Sequence, residues 1–292
     1  MRKNGSLLLL PVLLAALTGC AVNPVNQLTA KASMPIIDGG VLAINQEQDL
    51  QLAKDAMPAS IAVLEGLITQ DPNNVKMHTY AAQAYYGYAY AFVEDDDPKR
   101  ASALYLRGVR HGFKALAQLG MPENLFDLNK EQIETLVAKQ GKRALPALFW
   151  TASAWAKWID MNRDKPESAR HLAKTNALMQ RVLELDETFY YAGPHIYFGV
   201  FYGSVAPMFG GDPVKSQSHF DKARAINQNR LLMVDLLEAE FLARQSFDQA
   251  KFHRNLTHIL AAPDDLLPEL AIATQIAKAK AQRLLKKEEE WF

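Results

Sequence analysis

Leu64-Glu65-Gly66-Leu67-Ile68-Thr69-Gln70-Asp71-Pro72-Asn73 closes one helix, and Ala81-Ala82-Gln83-Ala84-Tyr85 lies in the body of the next. The acidic residue and the proline stop the first helix, because the proline ring and its missing N–H do not fit a helix interior. The same grammar returns along the chain. Asp97-Pro98 leads to Ala101 and Ala103, Lys165-Pro166 to Ala169 and Ala173, and Asp212-Pro213 to Phe220 and Ala223. Proline suits a first helical turn, where its N–H is not needed, and Asp caps the free amides. Sustained period-two alternation of Val, Ile and Thr is missing, while Ala, Leu, Glu, Lys and Gln recur at helical spacing. The sequence therefore predicts an all-α fold. Helices are expected over about 48–69, 74–93, 98–119, 129–140, 144–161, 167–185, 189–206, 214–226, 229–244, 247–261 and 264–287. Short turns between them force antiparallel neighbours, so the chain should be a series of helical hairpins that bury a core by stacking.

Leu64, Leu67, Asp71, Pro72 and Asn73 resemble the end of a tetratricopeptide repeat, and Ala81, Ala82 and Tyr85 its small-small-aromatic core. Met179, Val182, Leu185 and Asp186 repeat the ending with Glu187 in place of proline, and Phe220, Ala223 and Asn227 repeat it again. No strict period holds throughout, and a generic Ala/Leu-rich bundle is the alternative. The architecture expected for 47–292 is one of degenerate tetratricopeptide-like hairpins stacked in a compact solenoid. Residues 20–46 contain Asn, Pro and Gly with short apolar runs, including Met34-Pro35-Ile36-Ile37-Asp38-Gly39-Gly40, and are expected to be a tether with a docked strand or turn.

The first residues run Met1-Arg2-Lys3, then apolar from Leu7 to Leu17, then Leu17-Thr18-Gly19-Cys20. A basic start, an apolar centre and small residues before a cleavage point describe a secretory signal over 1–19. The run is too short to span a bilayer core, which takes about 20 apolar residues. Leu-Thr-Gly-Cys resembles the bacterial lipobox, with the chain's only cysteine at the modified position. Cys20 is therefore expected to carry lipid and begin a mature, periplasmic, membrane-anchored protein. Ala21 resembles the sorting pattern that leads to the inner leaflet of the outer membrane. Removing Arg2 and Lys3 from 32 basic and 32 acidic residues leaves 30 against 32. This near-neutral balance, with no basic cluster interleaved with aromatics, argues against nucleic acid. With 49% hydrophobic residues the chain can bury a sizeable core.

Residues that could carry catalysis are scattered. The seven histidines, at 78, 111, 171, 195, 219, 253 and 258, form no ligand motif, so no metal and no cofactor are expected. There is no nucleophile elbow, phosphate loop or dinucleotide fingerprint, and no catalytic residue is assigned. Glu94-Asp95-Asp96-Asp97 lacks the interleaved spacing of a calcium loop and reads as a capping turn. Three helices instead crowd aromatic side chains beyond a single apolar stripe, near 80–92, 149–158 and 190–202. Plain core packing is one reading. The other is that surplus rings line a ligand cavity, with Tyr85, Trp150, Trp155, Trp158, His195, Tyr197 and Phe201 as candidates.

Ala147-Leu148-Phe149-Trp150-Thr151-Ala152-Ser153-Ala154-Trp155-Ala156-Lys157-Trp158-Ile159, Gly193-Pro194-His195-Ile196-Tyr197-Phe198-Gly199 and Pro207-Met208-Phe209-Gly210-Gly211-Asp212-Pro213, together with the lipobox and the hairpins, resemble the T component of tripartite ATP-independent periplasmic (TRAP) transporters. The resemblance covers about residues 45–285, and its most specific parts are the Phe149-Trp150 to Trp155 run and the Pro207 to Asp212 run. It implies a non-enzymatic lipoprotein that forms a homotrimer and binds the periplasmic solute-binding P component. It also implies an apolar pore in each protomer suited to a hydrophobic small molecule, one that can bear a carboxylate. A general tetratricopeptide lipoprotein for outer-membrane assembly or lipid handling is the alternative.

Overall fold

Two of the three proline-marked starts begin with a side-chain cap. Asp97 accepts from the Arg100 amide at the head of α5 (Pro98–Ala117), and Asp212 accepts from the Lys215 amide at the head of α11 (Pro213–Asn227). Lys165 has no oxygen to offer, and Pro166 opens only the single turn α8 (Pro166–Ala169) before the chain breaks and resumes as α9 (Leu172–Leu185). The continuous helix expected over 167–185 is thus two pieces. The computed structural model describes residues 24–292 and is all-α among them. The signal segment and the Cys20 lipidation site lie outside the described residues.

The segment expected as a tether with a strand or turn is helical instead: α1 (Pro24–Ala32) and α2 (Met34–Gln46). Pro35 falls in the first turn of α2, where it is tolerated, and Gly39-Gly40 does not break the helix because Ile37, Val41 and Ile44 find an apolar partner surface. Asp38 fixes α2 to the body, accepting from the Tyr80 hydroxyl at 2.7 Å and from Lys76 at 2.8 Å. Then follow α3 (Leu50–Gln70), α4 (Val75–Phe92), α5, α6 (Lys130–Ala138) and α7 (Leu145–Asp160). After α9 come α10 (Phe189–Gly203), α11, α12 (Met233–Leu237) running into a π-turn over Glu238–Ala243, α13 (Gln249–Ala261), α14 (Ala271–Leu285) and α15 (Glu288–Trp291).

Helices close in the chain pack together: α3 on α4, α4 on α5, α10 on α11 and α13 on α14 are direct neighbours, while α7 packs on α5 and α9, and α6 on α9. The same interval separates Asp71 from Asp97 as separates Asp186 from Asp212, and all four flank helix ends. The α3–α5 and α9–α11 segments thus place their bounding aspartates at the same interval. The second is distorted at its entry, where Tyr190, Tyr191 and Ala192 all take positive φ (46°, 57°, 63°), so the helix proper begins after a sharp reversal. The chain does not remain an open stack. Lys280 of α14 binds Glu94, at the end of α4, at 3.0 Å, and α14 also packs on α2 and α3. This closure brings the late helices against the early ones and leaves a space between.

Candidate functional site

Glycine on α5 decides which face of α7 is available. A Cβ on Gly112 would lie 2.2 Å from the Thr151 hydroxyl oxygen, and one on Gly108 3.3 Å from the Ala154 Cβ. The back of α7 is therefore pressed against the α5 backbone. The opposite stripe, Trp150, Ser153 and Lys157 at helical spacing, faces away from α5 into a cavity of about 1070 Å³. That volume is at the upper end of ordinary small-molecule pockets. α4 supplies Gln83, Tyr86, Gly87 and Tyr90, again one helical stripe, and α10 supplies Ile196, Tyr197, Val200 and Phe201. Ile37, Val41 and Ile44 of α2, Met57, Ile61 and Leu64 of α3, Met233 and Leu237 of α12, Phe241 of the π-turn, and Ile272 and Ile276 of α14 also line the cavity. The lining reaches exposed residues in two parts of the chain, at Ile36 and Val63 and at Arg163, Ala169 and Gly210.

The rings touch one another at mixed angles. Trp150 lies 5.6 Å from Tyr86 and 4.8 Å from Tyr190 between centroids, and Tyr86 stacks parallel to Tyr90 at 6.1 Å. Burial pushes the Tyr86 phenol up to about 12, so it stays a neutral hydroxyl at any physiological pH. At the Tyr90 end the wall is ionic. Lys157 reaches Glu94 at 2.8 Å and Asp160 at 3.2 Å, Lys280 adds Asp95 at 2.9 Å, and the Tyr105 hydroxyl donates to Glu94. Burial alone would raise the Glu94 carboxyl, but Lys157 and Lys280 beside it hold it below the usual carboxylate range. Glu240, in the π-turn, moves the other way: desolvation and the nearby Glu94 and Asp160 charges raise it despite the two lysines.

Of the candidates named from sequence, Trp150, Tyr197 and Phe201 stand on the cavity wall. Tyr85 points from α4 to the other side, where its hydroxyl donates to Glu65 at 2.6 Å and its ring stacks on His111. Trp155 is fully buried, edge-on to Phe113 and Phe126 at 5.1 Å each. Trp158 packs on Phe126 and His171. His195 is buried, its Nδ1 2.9 Å from that of His219 and its Nε2 3.1 Å from Glu187. These four do not line the cavity, because each lies on a helix face turned toward a neighbouring helix. Gln83, Ile196 and the α2 residues line it without having been expected, and Tyr86 does so from the aromatic stretch near 80–92. The Ile36, Ile37, Val41, Ile44 spacing was a helical signal for α2, masked by the proline and the paired glycines.

Among the described residues no group of three or more His, Cys, Asp or Glu is placed to hold a metal, and no helix is long and apolar enough to cross a membrane. The family model described as TRAP transporter T-component matches residues 46–292, which contain nearly all of the cavity wall. The chain belongs to this family. Its role is accordingly that of an accessory component in TRAP transport. The T component is also similar to an uncharacterized protein of Treponema pallidum (strain Nichols), 19% identical over 268 residues that make up 85% of this chain and 81% of that protein.

Proposed function

We propose that this T component binds a hydrophobic small molecule in the cavity and exchanges it with a periplasmic solute-binding protein, the P component, acting as a scaffold and delivery partner without chemistry of its own. The observation that carries the reading is the cavity itself: its wall is overwhelmingly apolar and aromatic and its lining extends to the surface. A void of that size lined by rings is costly unless something fills it. Lipid on Cys20 would hold the protein at the inner leaflet of the outer membrane, and a homotrimer would set several such cavities side by side. Two acyl chains or more make such an anchor stable, so Cys20→Ala should release the protein into the soluble periplasmic fraction.

Gly87→Leu tests the cavity. A Cβ at Gly87 meets only the tip of Met57 at 3.9 Å, and the position lines the cavity on α4. The added side chain should fill the space while the helix gains propensity of about 1 kcal/mol. Mass spectrometry of molecules retained by the purified protein should show a hydrophobic species in the wild type and its loss in Gly87→Leu without a fall in melting temperature. Equal retention in both proteins would sink the cavity reading, and failure to co-purify with the P component would sink the delivery reading.

A further inference from the structure

Two helices beside the cavity present water with almost no charge. α2 and the stretch 57–70 of α3 hold one charged residue each, Asp38 and Glu65. Both are taken up by neighbouring helices: Asp38 accepts from Tyr80 and pairs with Lys76, and Glu65 accepts from Tyr85 and is met by Arg107 and His111. A helix that faces only water carries charged and polar residues on its outer side. These helices expose apolar side chains instead, Ile36 by 78% and Val63 by 64%. Six of the eleven large apolar side chains exposed among the described residues fall between Val25 and Val63, and α1, α2 and α3 pack on one another, so they share one region of the surface. Such a patch marks a partner or a membrane. It also contains an opening: Ile36, Gly40, Ser60 and Val63 belong both to the exposed surface and to the cavity wall. The other stretch of lining that reaches the surface carries Arg163 paired with Asp160.

Resting on the lipid on Cys20 proposed above, we propose that the exposed face of α1, α2 and α3 lies on the lipid leaflet that the anchor enters, with the Ile36–Val63 opening of the cavity against the acyl chains. The length of chain before α1 decides the occupant. Cys20 precedes Pro24 by four residues, a span of at most about 14 Å. Leu28, 70% exposed, lies about 6 Å further along α1. The anchor therefore keeps α1, and the helices packed on it, within reach of the leaflet. Lys31, exposed on α1, adds a cation for the lipid phosphates. A few apolar side chains bind a bilayer weakly by themselves, but the tether makes their contact intramolecular and so persistent. A hydrophobic molecule then passes between leaflet and cavity without crossing water.

Nitroxide labels test the contact. Cys20 is the only cysteine and lipid blocks its thiol, so a cysteine introduced elsewhere takes the label alone. Ile36→Cys and Val63→Cys report on the face, and Val214→Cys, 80% exposed on α11, is the control. All three sites are exposed, so the substitutions spare the core. The lipidated protein is reconstituted through its anchor into vesicles of phosphatidylethanolamine and phosphatidylglycerol. Dissolved oxygen, which concentrates in lipid, should relax the labels at 36 and 63 several times more strongly than a water-soluble nickel complex does, and the order should reverse at 214. In the soluble Cys20→Ala forms nickel should dominate at all three sites. Nickel-dominated relaxation at 36 and 63 on vesicles overturns the inference and leaves the anchor standing. Protection of both sites from oxygen and nickel alike in the soluble form also overturns it, by assigning the face to a second copy of the chain. A mass for the mature protein without acyl groups on Cys20 overturns the anchor reading and the inference with it.

Discussion

Trp150 and Trp155 stand on the same helix, five residues apart, and meet opposite fates. Trp155 is 0% exposed, walled by Phe113, Phe126 and His171 on every side, while Trp150, 6% exposed, has rings on one side and empty space on the other. Solvent exposure barely separates them. What separates them is whether the neighbouring helix is pressed close, as α5 is through Gly112, or held off, as α2, α4 and α10 are around the cavity. Density on one face of α7 and vacancy on the other are thus two consequences of a single packing decision.

Three measurements would break or sharpen this contrast. Trp155→Ala should lower stability by about 3–5 kcal/mol, in the range for large core deletions, whereas Trp150→Ala, which enlarges a space already present, should cost less than about 2 kcal/mol and mainly weaken hydrophobic-ligand binding. Equal losses in thermal denaturation would erase the distinction. Gly112→Ala comes next: with Thr151 in the way it should destabilise by about 1–3 kcal/mol, against the neutral or stabilising effect of Gly87→Leu on the open face. A melting temperature for Gly112→Ala equal to the wild type's would mean that α5 and α7 are less closely apposed than described.

The smallest effect is in the pH profile. Burial lowers His171, against Trp155, to about 4, and it lowers His111, beside Tyr85, to the same value. An unfolded histidine takes its proton near 6.5, so the unfolded state binds more protons below that point, and stability from the packed faces should be lost as pH falls from about 6.5 to about 4. Glu94 and Asp160, also held below their usual range, keep their contribution until pH falls below about 4, while Glu240 changes in the opposite sense because its folded form holds its proton more tightly. His171→Leu should flatten the melting-temperature curve between pH 7 and 5. No flattening would show that this histidine titrates alike in both states.

Much of the fold was legible because it rests on local chemistry. Asp97-Pro98 and Asp212-Pro213 announce their helix starts by their own side chains, and each start lies within a residue of its expected position. Where a neighbour decides the outcome, the sequence misleads. Gly39-Gly40 reads as a breaker, but α2 is kept helical by the apolar surface it covers. Tyr190-Tyr191-Ala192 contains none of the glycine or asparagine that left-handed backbone favours, so nothing local announces the reversal. The site was partly legible for the same reason. Periodicity groups Trp155 with Trp158 and sets Trp150 apart, yet which group faces a void depends on α5 and its glycines, far along the chain.

The π-turn at Glu238–Ala243 takes one residue more per turn than an α-helix, and so resets the helical phase by about 100° for all that follows. Through that offset Glu238 meets Arg224, Phe241 reaches the cavity and Leu242 backs onto Gly203. Deleting one residue within the turn would let it relax to an α-helix with the downstream faces kept in place, whereas converting it to an α-helix at its present length would rotate the next face by about 100° and exchange wall for core.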